Sequence, residues 1–136
     1  MKNIIKIATI LPYKENYTFE KAQAAAIWVC DFFKFSKHKN KNFIFGNTKG
    51  KDYLTKNYIN ININNLKSKF SSSTNEYCKN FIKKIKGTNF DLIEIHNRPL
   101  VFNYLKNSID TKFIIYFHND PLSMNGSRSI NERLKL

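Results

Sequence analysis

The sequence predicts an α/β fold, a Rossmann-like three-layer sandwich with a mostly parallel sheet. Strand-like apolar segments alternate with segments whose apolar residues recur every three or four positions, which is the spacing of a helix. The first strand-like segment, residues 2–11, is apolar on both faces, as expected of a parallel strand that helices cover on both sides. The links between strands are long enough for right-handed crossovers. With 136 residues and 42% apolar content, the chain is expected to form one domain with its own core.

The N-terminal half is predicted to contain three strands and one helix. The first strand ends at Pro12, and a loop follows it. The helix is expected to start with Thr18 as its cap and to bury residues spaced by three and four, namely Phe19, Ala22, Ala26, Val29 and Phe33. Residues 42–46 form a short strand. Residues 57–63 alternate polar and apolar side chains, which predicts a half-exposed strand near a sheet edge.

The C-terminal half is predicted to continue the same alternation. Its segments are a helix over 75–86, a strand over 90–95, a short helix from Pro99, a strand over 111–117 and a helix that opens at 129–132. Residues 71–74 are a loop that supplies caps to the first of these helices, and Gly87 ends it. Proline suits the first position of a helix, and residues 129–132 have the capping-box pattern.

The net charge of +13 comes from 23 Lys and Arg against 10 Asp and Glu. Most of the basic residues are Lys scattered among Asn and Ile, which indicates a compositional bias more than a binding function. The one dense basic tract is residues 34–41. Nucleic acid is a disfavoured partner because the chain lacks a recognition helix and an aromatic stacking motif. Peripheral contact with an anionic membrane, or with an anionic acceptor, and a simply solvated surface remain as alternatives.

The chain shows no sign of a membrane span or a metal-binding cysteine pattern. No apolar run approaches the ~20 residues that cross a bilayer, and a charge interrupts the short apolar run at the N-terminus. We therefore expect a cytoplasmic protein, either free or peripheral to the inner face of the membrane. Cys30 and Cys78 lie far apart without CxxC spacing, which favours buried free thiols over a zinc site or a disulfide.

Two predicted strands end in the same kind of polar cluster. The strand over 111–117 runs into His118-Asn119-Asp120-Pro121, and the strand over 90–95 runs into His96-Asn97-Arg98-Pro99. Ligands of open parallel sheets bind at the carboxyl ends of the strands. We therefore expect both clusters to face one crevice, an arrangement more typical of an enzyme's substrate cleft than of a structural module.

Each cluster supports a functional and a structural interpretation. His118 can titrate near neutral pH or donate from either ring nitrogen, while Asn119 and Asp120 can hold or orient a neighbour. The alternative is a turn capped by Asn119 and Asp120, with His118 merely packed. Arg98, at a helix start, could bind a phosphate or a carboxylate. The alternative is a structural salt bridge of Arg98 with Asp120 or Glu94.

Two loops could complete the crevice. The loop over 12–17, which contains Tyr13, has no glycine, and this argues against a standard NAD, FAD or P-loop site. Its residues suit stacking and hydrogen bonding to a sugar, and equally an ordinary surface loop. The loop over 123–129, which contains Arg128, could wrap a phosphate or a sugar, or be a mobile loop. The chain has no HExxH motif, no His/Cys metal spacing and no DxD motif, so we predict a site without metal.

These segments, in this order, resemble the N-terminal domain of GT-B glycosyltransferases, specifically the large retaining family 4 that uses nucleotide-sugar donors. The resemblance covers essentially the whole chain. It is carried by the strand at 6–12 with the alanine-rich helix after it, by residues 91–99, and most of all by residues 117–133. Many relatives have a Gly-Gly pair in the loop after the first strand, whereas residues 12–18 of this chain contain no glycine.

The resemblance implies the acceptor-side half of an enzyme that moves a sugar from a nucleotide-diphosphate sugar to a glycan or lipid-linked acceptor, without a further cofactor. His118 matches the family's histidine that contacts the donor sugar. The other residues expected at the cleft are Tyr13, His96, Asn97, Arg98, Asn119, Asp120 and Arg128. The family's donor-binding C-terminal domain is not in this chain. Because the last helix has barely begun at Leu136, we expect residues 1–136 to be a C-terminally truncated domain that is inactive alone.

Two other classes of function fit the sequence less well. A non-catalytic basic α/β module would bind nucleic acid or an anionic membrane, but it would not need polar clusters at two strand ends. A flavodoxin-like or response-regulator-like domain ranks lower, because the first strand lacks the paired acidic residues of a phospho-acceptor pocket.

Overall fold

A five-stranded parallel sheet organises the chain, which a computed structural model describes over residues 4–63 and 72–136. The strands are β1 (Ile7–Ile10), β2 (Asn42–Gly46), β3 (Tyr58–Asn60), β4 (Leu92–His96) and β5 (Lys112–Tyr116). The helices are α1 (Ala24–Phe35), α2 (Ser73–Ile85), α3 (Pro99–Leu105) and α4 (Ile130–Arg133), with 3-10 turns at Lys39–Lys41 and Pro121–Ser123. The strand order is β3-β2-β1-β4-β5, and every neighbouring pair is parallel. The predicted α/β class with a parallel sheet is confirmed.

Helices cover the two faces of the sheet unequally. On one face, α1 packs over β1, β2 and β3 through a cluster that includes Leu11, Val29 and Ile44. On the other face, α2 and α3 pack over β1, β2 and β4 through a larger cluster that includes Ile10 and Phe81. We call these the α1 face and the α2/α3 face. Among the described residues, no helix is long and apolar enough to cross a membrane.

A polar trio lies inside the α1 face, at the centre of the sheet. The buried Thr9 hydroxyl lies 3.0 Å from Asn42 Oδ1 and 2.9 Å from Glu94 Oε2. Thr9 and Glu94 are register partners on β1 and β4. Burial raises the pKa of the Glu94 carboxyl. Three neighbouring strands are thus joined by side chains as well as by their backbone ladders.

The prediction for the start of α1 was wrong. Thr18 does not cap this helix: it is buried and forms an antiparallel bridge with Tyr53, and its carbonyl accepts the N–H of Ala22 in a turn. Phe19, predicted to be buried on the helix, is exposed. The helix begins at Ala24, and the Glu15 carboxylate accepts the Ala26 N–H at 2.9 Å. A long-range side chain thus does the capping that local sequence assigned to Thr18.

Other predicted elements are confirmed with shorter or shifted bounds. The first strand covers only Ile7–Ile10 within the predicted 2–11, of which residues 2 and 3 lie outside the described part of the chain. The strand predicted near an edge is β3, which lies at one edge of the sheet, with β5 at the other. Of the predicted capping loop, Ser72 caps α2 by accepting the Asn75 N–H, whereas Ser71 lies outside the described residues. Both cysteines are buried free thiols.

Two glycines with positive φ offer a matched test of local packing. Gly126 (φ 94°) lies in the loop before α4, and a Cβ built there would lie 2.9 Å from Leu100 Cδ2 and 3.1 Å from the Leu100 backbone nitrogen. Gly87 (φ 79°) ends α2 and has open space around it. We expect Gly87→Ala to lower the free energy of unfolding by about 1 kcal/mol through backbone strain alone.

Gly126→Ala is expected to cost clearly more than Gly87→Ala, since it adds a clash with Leu100 to the same strain. Urea denaturation of both variants measures the difference. Equal losses in the two variants would show that the loop before α4 does not pack closely on α3.

Candidate functional site

A polar crevice lies at the carboxyl ends of β1, β4 and β5. Its volume is about 440 Å³, and it lies where the strand order reverses, between β1 and β4. Open α/β sheets bind ligands at such switch points because the connections on the two sides diverge there and leave a gap. The polar side chains that line it include Tyr13, Glu15, Thr74, Asn97, Arg98, Asn119 and Arg128.

Five of the eight predicted site residues line this crevice. They are Tyr13, Asn97, Arg98, Asn119 and Arg128, and they come from four separate segments of the chain. The two strand-end clusters therefore do meet at one edge of the sheet. The remaining three, His96, His118 and Asp120, are not part of its lining.

Within the described ranges, the Arg98 side chain has no acidic partner. Its guanidinium carbon lies 5.6 Å from the centre of the Tyr13 ring, and its Nε is buried without a hydrogen-bond partner among the described residues. The salt bridge considered as an alternative does not form. Glu94 lies against the Thr9 hydroxyl instead, and the Asp120 carboxylate accepts the Leu122 N–H at 3.0 Å. A guanidinium in this state has donors to offer an anionic ligand.

Asn97 joins the ends of β4 and β5. Its backbone N–H donates to the Tyr116 carbonyl, and its side-chain oxygen accepts the His118 N–H at 2.7 Å. Asn97 has a φ of 53°, a left-handed conformation that asparagine tolerates better than most residues. This turn separates the two clusters by face: Asn97 and Asn119 reach the crevice, while His96 and His118 reach the α1 face.

Sequence reasoning missed two residues of the site, one in the crevice lining and one that packs on the histidines. Glu15 is the only acidic side chain in the lining, and its carboxylate accepts the Ala26 N–H at the start of α1. Trp28, on α1, packs against both histidines, with ring centroids 5.6 Å from His96 and 5.2 Å from His118. A signal was present for Glu15, the one acidic residue in the loop after the first strand, whereas the contacts of Trp28 depend on how α1 crosses the sheet.

His96 and His118 form a directly bonded pair. His96 Nδ1 lies 2.7 Å from His118 Nε2, and His96 is fully buried. The Tyr116 ring stacks on His96 at 5.0 Å, and Trp28 covers both imidazoles. One ring nitrogen must donate and the other must accept, so the pair cannot be doubly protonated without breaking this bond.

Burial keeps the pair neutral. Burial, reinforced by the neighbouring His118, lowers the pKa of His96 to about 3. Burial also lowers the pKa of His118, and the nearby Glu15 carboxylate opposes this shift. The Nδ1 atom of His118 has no hydrogen-bond partner in the described part of the chain and is the ring atom left for a ligand.

The residues after Asp120 form the outer wall of the crevice. Asp120 caps the 3-10 turn at Pro121–Ser123, which is the structural role considered for it. The Arg128 guanidinium donates to the Ser123 carbonyl at 3.1 Å and so closes this loop. Glu132 accepts the backbone N–H groups of Ser129 and Gly126, and these bonds lower the pKa of its carboxyl. The predicted capping box is confirmed and anchors the wall to α4.

The arrangement favours binding a polar, negatively charged ligand. Two arginines, three asparagines and a tyrosine line the crevice, whereas its one carboxylate is engaged by a backbone N–H. Thr74 brings the first turn of the 13-residue α2 to the rim, and helix N-termini favour anions. In residues 4–63 and 72–136, no group of three or more His, Cys, Asp or Glu side chains could hold a metal ion.

The histidine pair predicts how stability depends on pH. The pKa of a histidine in the unfolded chain is about 6.5. Where folding lowers this pKa, protonation favours the unfolded chain, so the fold keeps its full stability above about pH 6.5 and loses stability as the pH falls below it. We expect the free energy of unfolding to fall as the pH drops from about 7 towards 3, with His96 alone contributing about 2 kcal/mol of the loss by pH 5. Urea denaturation at several pH values measures this slope.

A His96→Gln/His118→Gln double variant removes the pair, and His38→Gln removes the remaining histidine as a control. The double variant should lose most of the pH dependence between 7 and 5, and the control should retain it. An unchanged slope in the double variant would mean that the pair does not exclude protons from the folded state.

Comparison with known proteins leaves this site to be interpreted from its geometry. No family model, curated protein or solved structure matches the chain. Because one α/β fold can host many unrelated functions, the residues of the crevice, and not the fold, must carry any conclusion about function.

Proposed function

We propose that this domain is the acceptor-side half of a glycosyltransferase that uses a nucleotide-diphosphate sugar. The observation that carries the proposal is the crevice at the carboxyl ends of β1, β4 and β5, which combines two arginines, three asparagines and no free carboxylate. A phosphorylated or diphosphate-linked sugar presents both the anionic group and the hydroxyls that such a lining binds.

In this proposal different residues of the crevice bind different parts of the ligand. Arg98, stacked over Tyr13, binds the anionic group, supported by Arg128 across the crevice and by the first turn of α2. Asn97, Asn119 and Asn125 offer both donors and acceptors to sugar hydroxyls. Asp120 and His96 act indirectly in this proposal, because Asp120 shapes the outer wall and His96 holds the His118 ring.

His118 is proposed to contact the transferred sugar. Its Nε2 is engaged by His96, so Nδ1 is the ring atom left for a hydroxyl of the transferred sugar, outside the part of the crevice that binds the anionic group. Transfer then depends mainly on positioning and on stabilising charge in an oxocarbenium-like state and on the leaving diphosphate. The loop over 12–18 has no glycine with which to approach a pyrophosphate closely. In this proposal most of the nucleotide is held by a second, donor-binding domain, as the family resemblance implies.

The setting we propose is the cytoplasm, with peripheral contact at the inner face of the membrane where a lipid-linked acceptor would be found. The high net positive charge supports contact with an anionic surface. It equally supports the second candidate, a non-catalytic basic module for nucleic acid or membrane. The two differ in ligand: only the first requires the crevice to recognise a sugar.

Binding to the crevice tests the proposal directly. We expect an isotopically labelled chain, titrated with glucose 1-phosphate and UDP-glucose and followed by NMR, to show shifts centred on the amides of Asn97 and Asn119. Arg98→Gln should weaken this binding by about tenfold or more, as expected for loss of a charge-assisted bidentate contact.

Lys83→Gln provides a matched control, because it removes the same charge from an exposed site in the last turn of α2, away from the crevice. It should bind like the unmodified chain. Equal binding of inorganic phosphate and sugar phosphates, or perturbations that spread over the basic surface and include oligonucleotides, would favour the non-catalytic module.

His118→Ala tests the catalytic role in an enzyme that carries both halves. We expect the rate of sugar transfer to fall by at least about 10²-fold, because the contact with the reacting sugar is lost. Phosphate-sugar binding to the crevice should persist, since His118 does not line it. Unchanged turnover would remove His118 from the mechanism.

A further inference from the structure

The outward side of α1 carries four large apolar residues around the Asp31–Lys34 pair, which is unusual for a surface helix. Ala25, Ala26, Val29 and Cys30 form its buried side. On the opposite side Ile27, Trp28, Phe32 and Phe35 are 50%, 39%, 47% and 89% exposed. A surface helix of a globular protein normally places polar residues on its solvent side. We call these four exposed residues the α1 surface.

Trp28 connects the α1 surface to the sheet edge. Trp28 stacks on Phe32 with ring centroids 5.2 Å apart, and it contacts Tyr116 of β5 at 5.3 Å. Ile114 and Phe117, on and just after the edge strand β5, are also exposed. Isolated exposed apolar residues need no explanation, but a connected group with three large aromatic rings does.

Positive charge borders this surface on one side. Lys34, Lys37, Lys39 and Lys41 follow along the end of α1 and the 3-10 turn that contacts it, and all four are exposed. Asp31, the only acidic residue of α1, is paired with Lys34 at 3.2 Å. Lys37, Lys39 and Lys41 have no carboxylate partner within the described ranges. The partner of this surface must therefore accept apolar side chains and carry negative charge.

We propose that the α1 surface docks on an anionic lipid bilayer, with α1 lying in the plane of the membrane. The aliphatic and aromatic side chains would enter the boundary between headgroups and acyl chains, and the lysines would meet the lipid phosphates. A second copy of this chain fits the surface less well, because a twofold contact would bring the same unpaired lysines together. A nucleic acid would leave the apolar side chains of Ile27 and Phe35 against phosphates.

Docking in this way would orient the crevice. The Glu15 carboxylate, which lines the crevice, is bonded to the N–H of Ala26, the residue before the first member of the α1 surface. The crevice therefore opens beside the N-terminal end of the docked helix. This placement gives the crevice access to a ligand whose head projects from the bilayer, but the docking itself does not depend on the proposed chemistry.

Vesicle binding tests the proposal with the chain itself. We expect the chain to sediment with phosphatidylcholine vesicles that contain about 30% phosphatidylglycerol and not with phosphatidylcholine alone. The single tryptophan, Trp28, provides a second readout, because its fluorescence should shift to shorter wavelength on binding and be quenched by brominated acyl chains.

Two variants separate the apolar and electrostatic contributions. Phe35→Ser should weaken vesicle binding by about tenfold, the value of burying one phenylalanine. Lys37→Glu/Lys39→Glu should weaken it by at least as much. The controls are Leu134→Ser, which changes an exposed apolar residue on α4, and Lys83→Glu, which reverses an exposed charge on α2. Both controls should bind vesicles like the unmodified chain.

Several outcomes would overturn the proposal. One is binding that does not discriminate between the two vesicle types, and another is binding that Phe35→Ser leaves unchanged. Concentration-dependent self-association that Phe35→Ser abolishes would assign the surface to a second copy. Tight binding of an oligonucleotide that competes with vesicles would assign it to nucleic acid.

Loss of sugar-phosphate binding in Arg98→Gln with vesicle binding retained would show that the two proposals stand independently.

Discussion

The position of β1 between β2 and β4 is the constraint on which the rest of the structure depends. Because both neighbours pair with β1 in parallel, the chain must leave β1 in one direction and later return on its other side. That return places α1 on one face and α2 and α3 on the other, and it opens the gap at the carboxyl end of β1 where the crevice lies. Burial on both faces also explains why β1 is apolar throughout except at Thr9.

Much of the fold could be predicted from local sequence patterns. Where the prediction failed, a long-range contact was the cause. Strand ends were predictable to within a residue because an apolar run gives way to polar residues at His96 and again at His118. The start of α1 was not, because its cap is Glu15, which reaches the helix through the folded loop. Thr18 offered a plausible local cap but is used instead in a bridge to Tyr53. A long-range contact overrode a local preference.

The candidate site was predicted in place but not in detail. The sequence could indicate that two strand-end clusters meet, because parallel strands end at the same edge. The sequence could also have shown that each cluster divides between the two faces of the sheet. Side chains alternate along a strand, so Glu94 and His96 share one face, as do Tyr116 and His118, while the residues between them point to the other face. Applied to the clusters, this alternation sends the histidines towards α1 and the asparagines towards the crevice. The role of Trp28 could not be predicted, because it depends on how α1 crosses the sheet.

The trio of Thr9, Asn42 and Glu94 has a consequence for how the strands find their alignment. The Thr9 hydroxyl has one proton, so it can donate to only one of the two oxygens beside it, and the other oxygen needs a proton of its own. Burial raises the pKa of Glu94, which favours its carboxyl over the Asn42 amide oxygen as the carrier of that proton. A slip of β4 by one residue would send Glu94 into the apolar core of the α2/α3 face, and a slip by two would bury it without the hydroxyl. The trio therefore favours a single register of the three central strands.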